Sequence, residues 1–230
     1  MRCGTSGLCH SAAVPSPARR LQRYLKAHGA RQTVAEIGRR LRRLVYEEQR
    51  LIVLVKHLDD VLEPKPPGDL RFEDLRPEHL ADLAELNRRR NAGPDADRRF
   101  ARYVEQGFHG FVAFRDDQAI GYSWWVDRDA PHLFPDLRKG WLGIELAEGD
   151  VYGSDVFILE EHRGGGVASD FLYKQESALR DRGYRELWGY VVSSNRPARW
   201  IYSTRGYEPM WTIVKRRVGI FRRTTREDSQ

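Results

Sequence analysis

At 230 residues the chain is long enough for one domain with an appendage. With 40% hydrophobic and 31% charged residues its composition is ordinary for a soluble globular protein, and a net charge of +6 suits an anionic ligand such as a phosphorylated cofactor, a nucleic acid or an anionic membrane surface. No apolar run approaches the ~18 residues of a membrane-spanning helix. The only cysteines, Cys3 and Cys9, lack the spacing of a zinc site or a disulfide framework.

Residues 1–18, with Gly4, Gly7, Pro15 and Pro17, read as a flexible tail without the apolar stretch of a signal peptide. Free thiols and no such leader make the cytoplasm the expected compartment. Residues 19–48 predict a basic helix. Ten Lys/Arg stand against three Glu between Arg19 and Arg50, and Val34, Ile37, Leu41, Leu44 and Val45 form one stripe. Residues 51–55 predict a short strand, and the Pro-rich run 63–68 predicts a linker. The expectation is a basic helical extension over residues 19–66, separable from the remainder of the chain. Its Arg39–Arg43 cluster is a solvated face, or else a surface for a membrane, a polyanion or self-association within residues 19–60. No DNA- or RNA-binding signature accompanies it.

From residue 67 the pattern changes. A short strand at 70–72 precedes a helix over 77–90 with Leu80, Leu83, Ala84 and Leu86 on one side. Residues 91–94 break it, a second helix covers 95–106, and Gly107 stops it. Strands at 111–115 and 119–126 flank a hairpin turn at 116–118. Residues 127–139 read as loop, 142–146 and 155–159 as strands. Gly164-Gly165-Gly166 then opens a helix that ends near Arg182, with Gly183 as its stop. A strand at 186–192 leads to a helix at 195–204, capped by Asn195, with Pro197 in its first turn and Gly206 past its end. A last strand covers 212–218. Residues 220–230 read as a polar, frayed tail.

The most informative stretch is the apolar strand that runs into three glycines and then a helix. Glycines expose the first backbone N–H groups of a helix at the positive end of its dipole, which makes a phosphate cradle. Arg163 adds a charge in the same turn. The P-loop pattern lacks its Gly-Lys-Ser/Thr, and the dinucleotide pattern GxGxxG fails at Ser169.

Arg163-Gly164-Gly165-Gly166-Val167-Ala168 resembles the pyrophosphate signature Arg/Gln-x-x-Gly-x-Gly/Ala of the GNAT superfamily of acyl-CoA N-acyltransferases. Asn195, Ala198, Tyr202 and the pair Gly206-Tyr207 look like that family's later motif. Asn195 and Tyr202 are two helical turns apart, on one face. The resemblance covers roughly residues 70–218. It implies an α/β (α+β) fold over residues 67–219, a mixed, mainly antiparallel central sheet flanked by helices. It also implies transfer of an acyl group, acetyl first among them, from acyl-CoA to a small-molecule or peptide amine, with no metal. In that reading Phe157, Ile158 and Leu159 pair with the pantetheine arm, and a backbone N–H near Ile158 or Leu159 is the oxyanion donor. Residues 163–168 hold the pyrophosphate, Asn195 positions the arm, and Tyr202 donates to the departing sulfur. Glu145, Glu148 and Asp155 are candidate bases, Glu145 favoured; Tyr122 and Trp124, on one strand face, are the candidate acceptor contacts. Two other functions compete: a CoA-binding module without turnover, and an adaptor working through the basic extension. On the adaptor test, removal of residues 1–66 leaves turnover intact.

Overall fold

The computed structural model describes residues 46–63, 69–93, 95–130 and 134–228. Contacts divide the chain into two units. One comprises Glu48–Arg216 with Arg223–Gln230 and carries the site. Of the other, Tyr46, Glu47 and Arg217–Arg222 are described, and Arg217 pairs with Glu47 at 2.9 Å.

Eight strands form one sheet: β1 (Tyr46–His57), β2 (Arg71–Asp74), β3 (His109–Arg115), β4 (Gln118–Asp127), β5 (Asp150–Ile158), β6 (Glu186–Val192), β7 (Glu208–Val218) and β8 (Phe221–Asp228). Their order is β2-β3-β4-β5-β6-β1-β7-β8. The pairs β2/β3, β3/β4, β4/β5 and β1/β6 are antiparallel, while β5/β6 is parallel. Among the described residues five α-helices accompany them: α1 (Leu80–Arg89), α2 (Asp95–Glu105), α3 (Pro135–Arg138), α4 (Val167–Asp181) and α5 (Arg196–Thr204). The mixed, mainly antiparallel sheet flanked by helices is the architecture that the resemblance implies.

Local chemistry accounts for the elements. The β3–β4 hairpin turns through Asp116 (φ 49°) and Asp117 (φ 61°). This is the double left-handed geometry that matches strand twist, and aspartate tolerates it better than most residues. β4 lies mid-sheet and is buried on both faces from Ala119 to Val126, so it reads as a run rather than an alternation. Tyr122, Trp124 and Val126 point to one face, where Leu83, Leu86 and Phe100 of α1 and α2 pack. On the other face Phe111, Trp125, Val151, Leu187 and Val191 meet Leu179 of α4 and Tyr207.

Four expectations change. Residues 46–48 are extended, and β1 is no appendage: Leu51↔Val192 through His57↔Glu186 pair along β6, with Leu51, Val53, Leu54 and Val55 buried. The Pro-rich run therefore does not separate the N-terminal segment from the fold, and residues 51–55 are not a free docking surface. The rest of the expected helix, residues 19–45, and the tail at 1–18 lie outside the described residues. Residues 142–146 are coil, because their polar groups go elsewhere. The Gly143 N–H closes a turn on the Gly140 carbonyl at 3.1 Å, and the Leu142 carbonyl accepts the Trp211 indole at 2.8 Å. The segment 127–139 contains α3, started by Pro135 at its first position. The expected tail carries β8, which closes the sheet edge beside β7. Among the described residues no helix is long and apolar enough to cross a membrane.

Candidate functional site

Parallel pairing of β5 with β6 stops at Tyr152↔Trp188. Just beyond, β5 bulges against β4: Tyr122 faces Phe157 and Trp124 faces Ser154, so Asp155 and Val156 oppose the single residue Ser123. Asp155 takes φ +47°, a left-handed conformation costly for a residue with a Cβ. The bulge bends β5 away from β6 and opens a groove of about 240 Å³ between them. Gly153–Val156 form one wall and Gly189–Val192 the other; Leu172 and Gln175 of α4, with Asn195, Ala198 and Tyr202, complete it. A second groove of about 460 Å³ shares Val156, Leu172, Asn195, Ala198 and Tyr202 and extends to Arg163, Gly164 and Ala168. The two make one path from the strand splay to the glycine turn.

That turn is built from three left-handed glycines, Gly164 (φ 137°), Gly165 (φ 53°) and Gly166 (φ 86°). A Cβ at any of them would meet nothing within 4 Å, so the glycines serve conformation and leave the space above the turn open. Gly166 is the N-cap of the fifteen-residue α4 and supplies no capping side chain. The helix therefore begins with N–H groups available to an anion. Val167 differs from its neighbours: its N–H closes on the Gly164 carbonyl at 3.0 Å and its side chain is buried. Arg163 is anchored by its Nε, which donates to the Ile158 carbonyl at 2.8 Å, with the guanidinium 5.7 Å from the Phe157 ring.

Asn195 caps α5, its Oδ1 accepting from the Ala198 N–H at 3.2 Å, and it lines both grooves. So does Tyr202. Its ring stands edge-on to Tyr207 at 4.8 Å. Burial, and then the negative charge of Glu176, raise its pKa to about 12, so its hydroxyl keeps its proton at neutral pH.

The expected strand contacts shift toward the N-terminus of β5. Leu159 lies past the strand, buried, and its N–H donates to the Ile120 carbonyl at 2.8 Å. That donor is taken. Ile158, buried opposite Gly121, lines the second groove, while the backbone that borders the splay is Gly153–Val156. Trp124 is fully buried, packed on Phe100 (5.3 Å) and Tyr103 (5.2 Å), and lines neither groove. Tyr122 is also fully buried. It lines neither groove; its hydroxyl accepts from Arg90 and lies 3.4 Å from Asp155, which lines the first; burial holds its pKa far above the ordinary value. Glu145 is exposed in coil and lines neither groove, and Glu148 is exposed as well. Of the three candidate carboxylates, Asp155 alone lines the groove, paired with Arg90 (3.4 Å) and Arg99 (3.3 Å).

Asp136 and Gln175 are residues that sequence reasoning passed over, and Tyr190 is one it held only among several rings able to pack or to line a pocket. Tyr190 lines the groove and lies beside Asp136. Burial, followed by the charges of Asp136 and Asp155, raises its pKa to about 12. Burial also raises the Asp136 pKa, against the pull of Lys215. Tyr190 stood in the sequence as one strand aromatic among many, and Asp136 lies in an aperiodic segment with no signal at all.

The sequence profile of the acetyltransferase (GNAT) family matches residues 73–207, and the chain belongs to that family. No curated protein matches it. Among solved structures, a functionally unknown conserved protein from Staphylococcus epidermidis aligns at TM-score 0.55 and 13% identity, over 76% of this chain and 63% of the other. A GCN5-related N-acetyltransferase from Sphaerobacter thermophilus aligns at 0.53 and 16%, over 80% and 56%. The glucosamine N-acetyltransferase region of a fungal multi-domain GH3 β-N-acetylglucosaminidase aligns at 0.56 and 16%, over 93% and 23%. The chain thus spans less than two thirds of each of these proteins, and at such identities the likeness is one of fold.

Proposed function

We propose that this protein moves an acyl group, acetyl in the simplest case, from acyl-CoA to a primary amine on a small molecule or peptide. One observation carries the reading: the strand splay and the glycine turn join into a single path, and Tyr202 lies on both of its halves. The open space over Gly164–Gly166 and the uncapped start of α4 fit a pyrophosphate, and the splayed backbone of β5 fits an extended amide-bearing arm.

In this reading the amine attacks the thioester carbonyl, the N–C bond forms and the C–S bond breaks. The departing thiolate belongs to a thiol of pKa about 8.5. Tyr202, protonated throughout, supplies the hydrogen bond that stabilises it. The proton leaving the amine passes to the Tyr190–Asp136 pair, whose carboxylate is held above the ordinary range. This replaces Glu145, which lines neither groove. Asp155, fixed by two guanidiniums, faces the incoming ammonium group.

The test is calorimetry of acetyl-CoA and CoA with the unaltered protein and with Gly166→Glu. Micromolar binding that the variant abolishes supports the reading and opens the search for the amine. No binding to either sinks it.

A further inference from the structure

The turn between β7 and β8 breaks a rule that the β3–β4 hairpin keeps. The β3–β4 turn is made by Asp116 and Asp117, polar residues suited to water. Between Val218, the end of β7, and Phe221, the start of β8, the loop is Gly219-Ile220, so two residues join neighbouring strands and the pair runs antiparallel. Gly219 takes φ 58°, which suits a tight hairpin with glycine in its first position. That geometry accounts for Gly219 and asks for nothing apolar around it. Yet Val218, Ile220 and Phe221 are 53%, 90% and 76% exposed, and the last two are the most exposed large apolar side chains among the described residues. Single exposed apolar residues are ordinary, but three at one apex form a contact surface.

The charge around the apex selects its partner. Lys215-Arg216-Arg217 precede it in the sequence and Arg222-Arg223 follow it. Glu48 offsets Arg216 and Glu47 offsets Arg217, each at 2.9 Å. Arg222 and Arg223 are exposed and enter no ion pair among the described residues. A guanidinium fork matches phosphate oxygens. An apolar apex behind a collar of cations therefore fits the two layers of an anionic bilayer, acyl chains for the apex and headgroup phosphates for the arginines. A nucleic acid would use the cations and leave isoleucine and phenylalanine in water. A second copy meeting apex to apex would set arginine against arginine. We propose that the β7–β8 hairpin is a membrane-docking element: Val218, Ile220 and Phe221 enter an anionic lipid surface, and Arg222 and Arg223 hold its phosphates. None of these residues lines either groove, so the assignment is independent of what the grooves bind.

The test is sedimentation of the full chain with vesicles of phosphatidylcholine alone, and of phosphatidylcholine and phosphatidylserine at three to one. The chain is expected to sediment with the mixed vesicles far more than with phosphatidylcholine alone, and less as salt is raised. Ile220→Ser/Phe221→Ser is expected to weaken binding to the mixed vesicles at least about tenfold, since two apolar side chains no longer enter lipid. Arg222→Gln/Arg223→Gln is expected to weaken it about fivefold per arginine. Both variants alter exposed side chains, so thermal unfolding is expected to match that of the unaltered chain. An apex variant that sediments as well as the unaltered chain overturns the assignment and moves lipid binding elsewhere in the chain. Sedimentation with neither vesicle, or equally with both, overturns it too. Light scattering without lipid tests the other occupant: a dimer that Ile220→Ser/Phe221→Ser splits gives the apex to a second copy and overturns the membrane assignment.

Discussion

The pair Arg205–Glu176 offers the sharpest physical test of how the site is held. Glu176, in the middle of α4, is fully buried, and Arg205, at the C-cap of α5, is nearly so. Two contacts join them, Nε–Oε1 at 3.3 Å and Nη2–Oε2 at 2.5 Å, and Arg205 also donates to the Leu62 carbonyl. Tyr207 lies beside Glu176, and its ring stands edge-on to Tyr202 at 4.8 Å. The pair thus ties the glycine-turn helix to the tyrosine helix. Arg205→Met leaves a buried carboxylate with Lys56 as the remaining nearby cation, and breaking a buried pair in this way costs about 3–5 kcal/mol. Burial already raises the Glu176 pKa and Arg205 opposes that, so its removal drives the value further up. In the variant the folded state then holds a proton that the unfolded chain releases near pH 4.3. The stability from that proton is complete below the unfolded value and is lost as pH rises through the folded one. Urea unfolding followed by tryptophan fluorescence should therefore show the full deficit at pH 8 and a smaller one at pH 5. The double variant Arg205→Met/Glu176→Gln should recover most of it. A deficit below about 1 kcal/mol at pH 8, the scale of an exposed ion pair, or one independent of pH, would refute the argument.

Tyr202→Phe should lower kcat by roughly 10²-fold, the low end for a lost proton donor, while CoA affinity by calorimetry stays within about twofold of the unaltered value; weakened CoA binding would make Tyr202 a packing residue. Because the Asp136 pKa is raised, the acid limb of kcat/KM should fall above the ordinary aspartate value of about 3.9, and Asp136→Asn should abolish that limb; a limb that survives assigns the base elsewhere. Gly165→Ala places a Cβ at φ 53° in open space, so stability should fall by roughly 1 kcal/mol from backbone strain; a larger loss would show that the site is packed rather than open. A chain lacking residues 1–66 should fail to fold by circular dichroism, since it loses β1 from between β6 and β7; an active truncation would refute the topology.

Much of the site was legible because its signals are local. Three consecutive glycines between a strand and a helix have few uses, and Asn195 with Tyr202 two turns later marks one helix face. Strand 186–192 was readable to the residue, because Gly183 and the β-branched and aromatic run bound it on both sides. What escaped the sequence was non-local. β1 looks like a strand in isolation, but nothing in Leu51–Val55 says that its partner is Val192, some 140 residues away. The bulge at Asp155 depends on a register difference between β4 and β5, and register is a property of two strands.

The aromatic residues show the same limit in a sharper form. Tyr122, Trp124 and Tyr190 are indistinguishable by type, and period-two alternation correctly places the first two on one face. That face is the core under α1 and α2, since those helices cover it. Tyr190 faces the groove because β6 lines the splay that the bulge in β5 opens. Whether a strand aromatic packs or recognises is thus decided by a single extra residue in a neighbouring strand. The groove is a consequence of the β4–β5 mismatch: pairing Ser123 one-to-one by deleting Val156 would carry β5 back toward β6 and close the path that Tyr202 bridges.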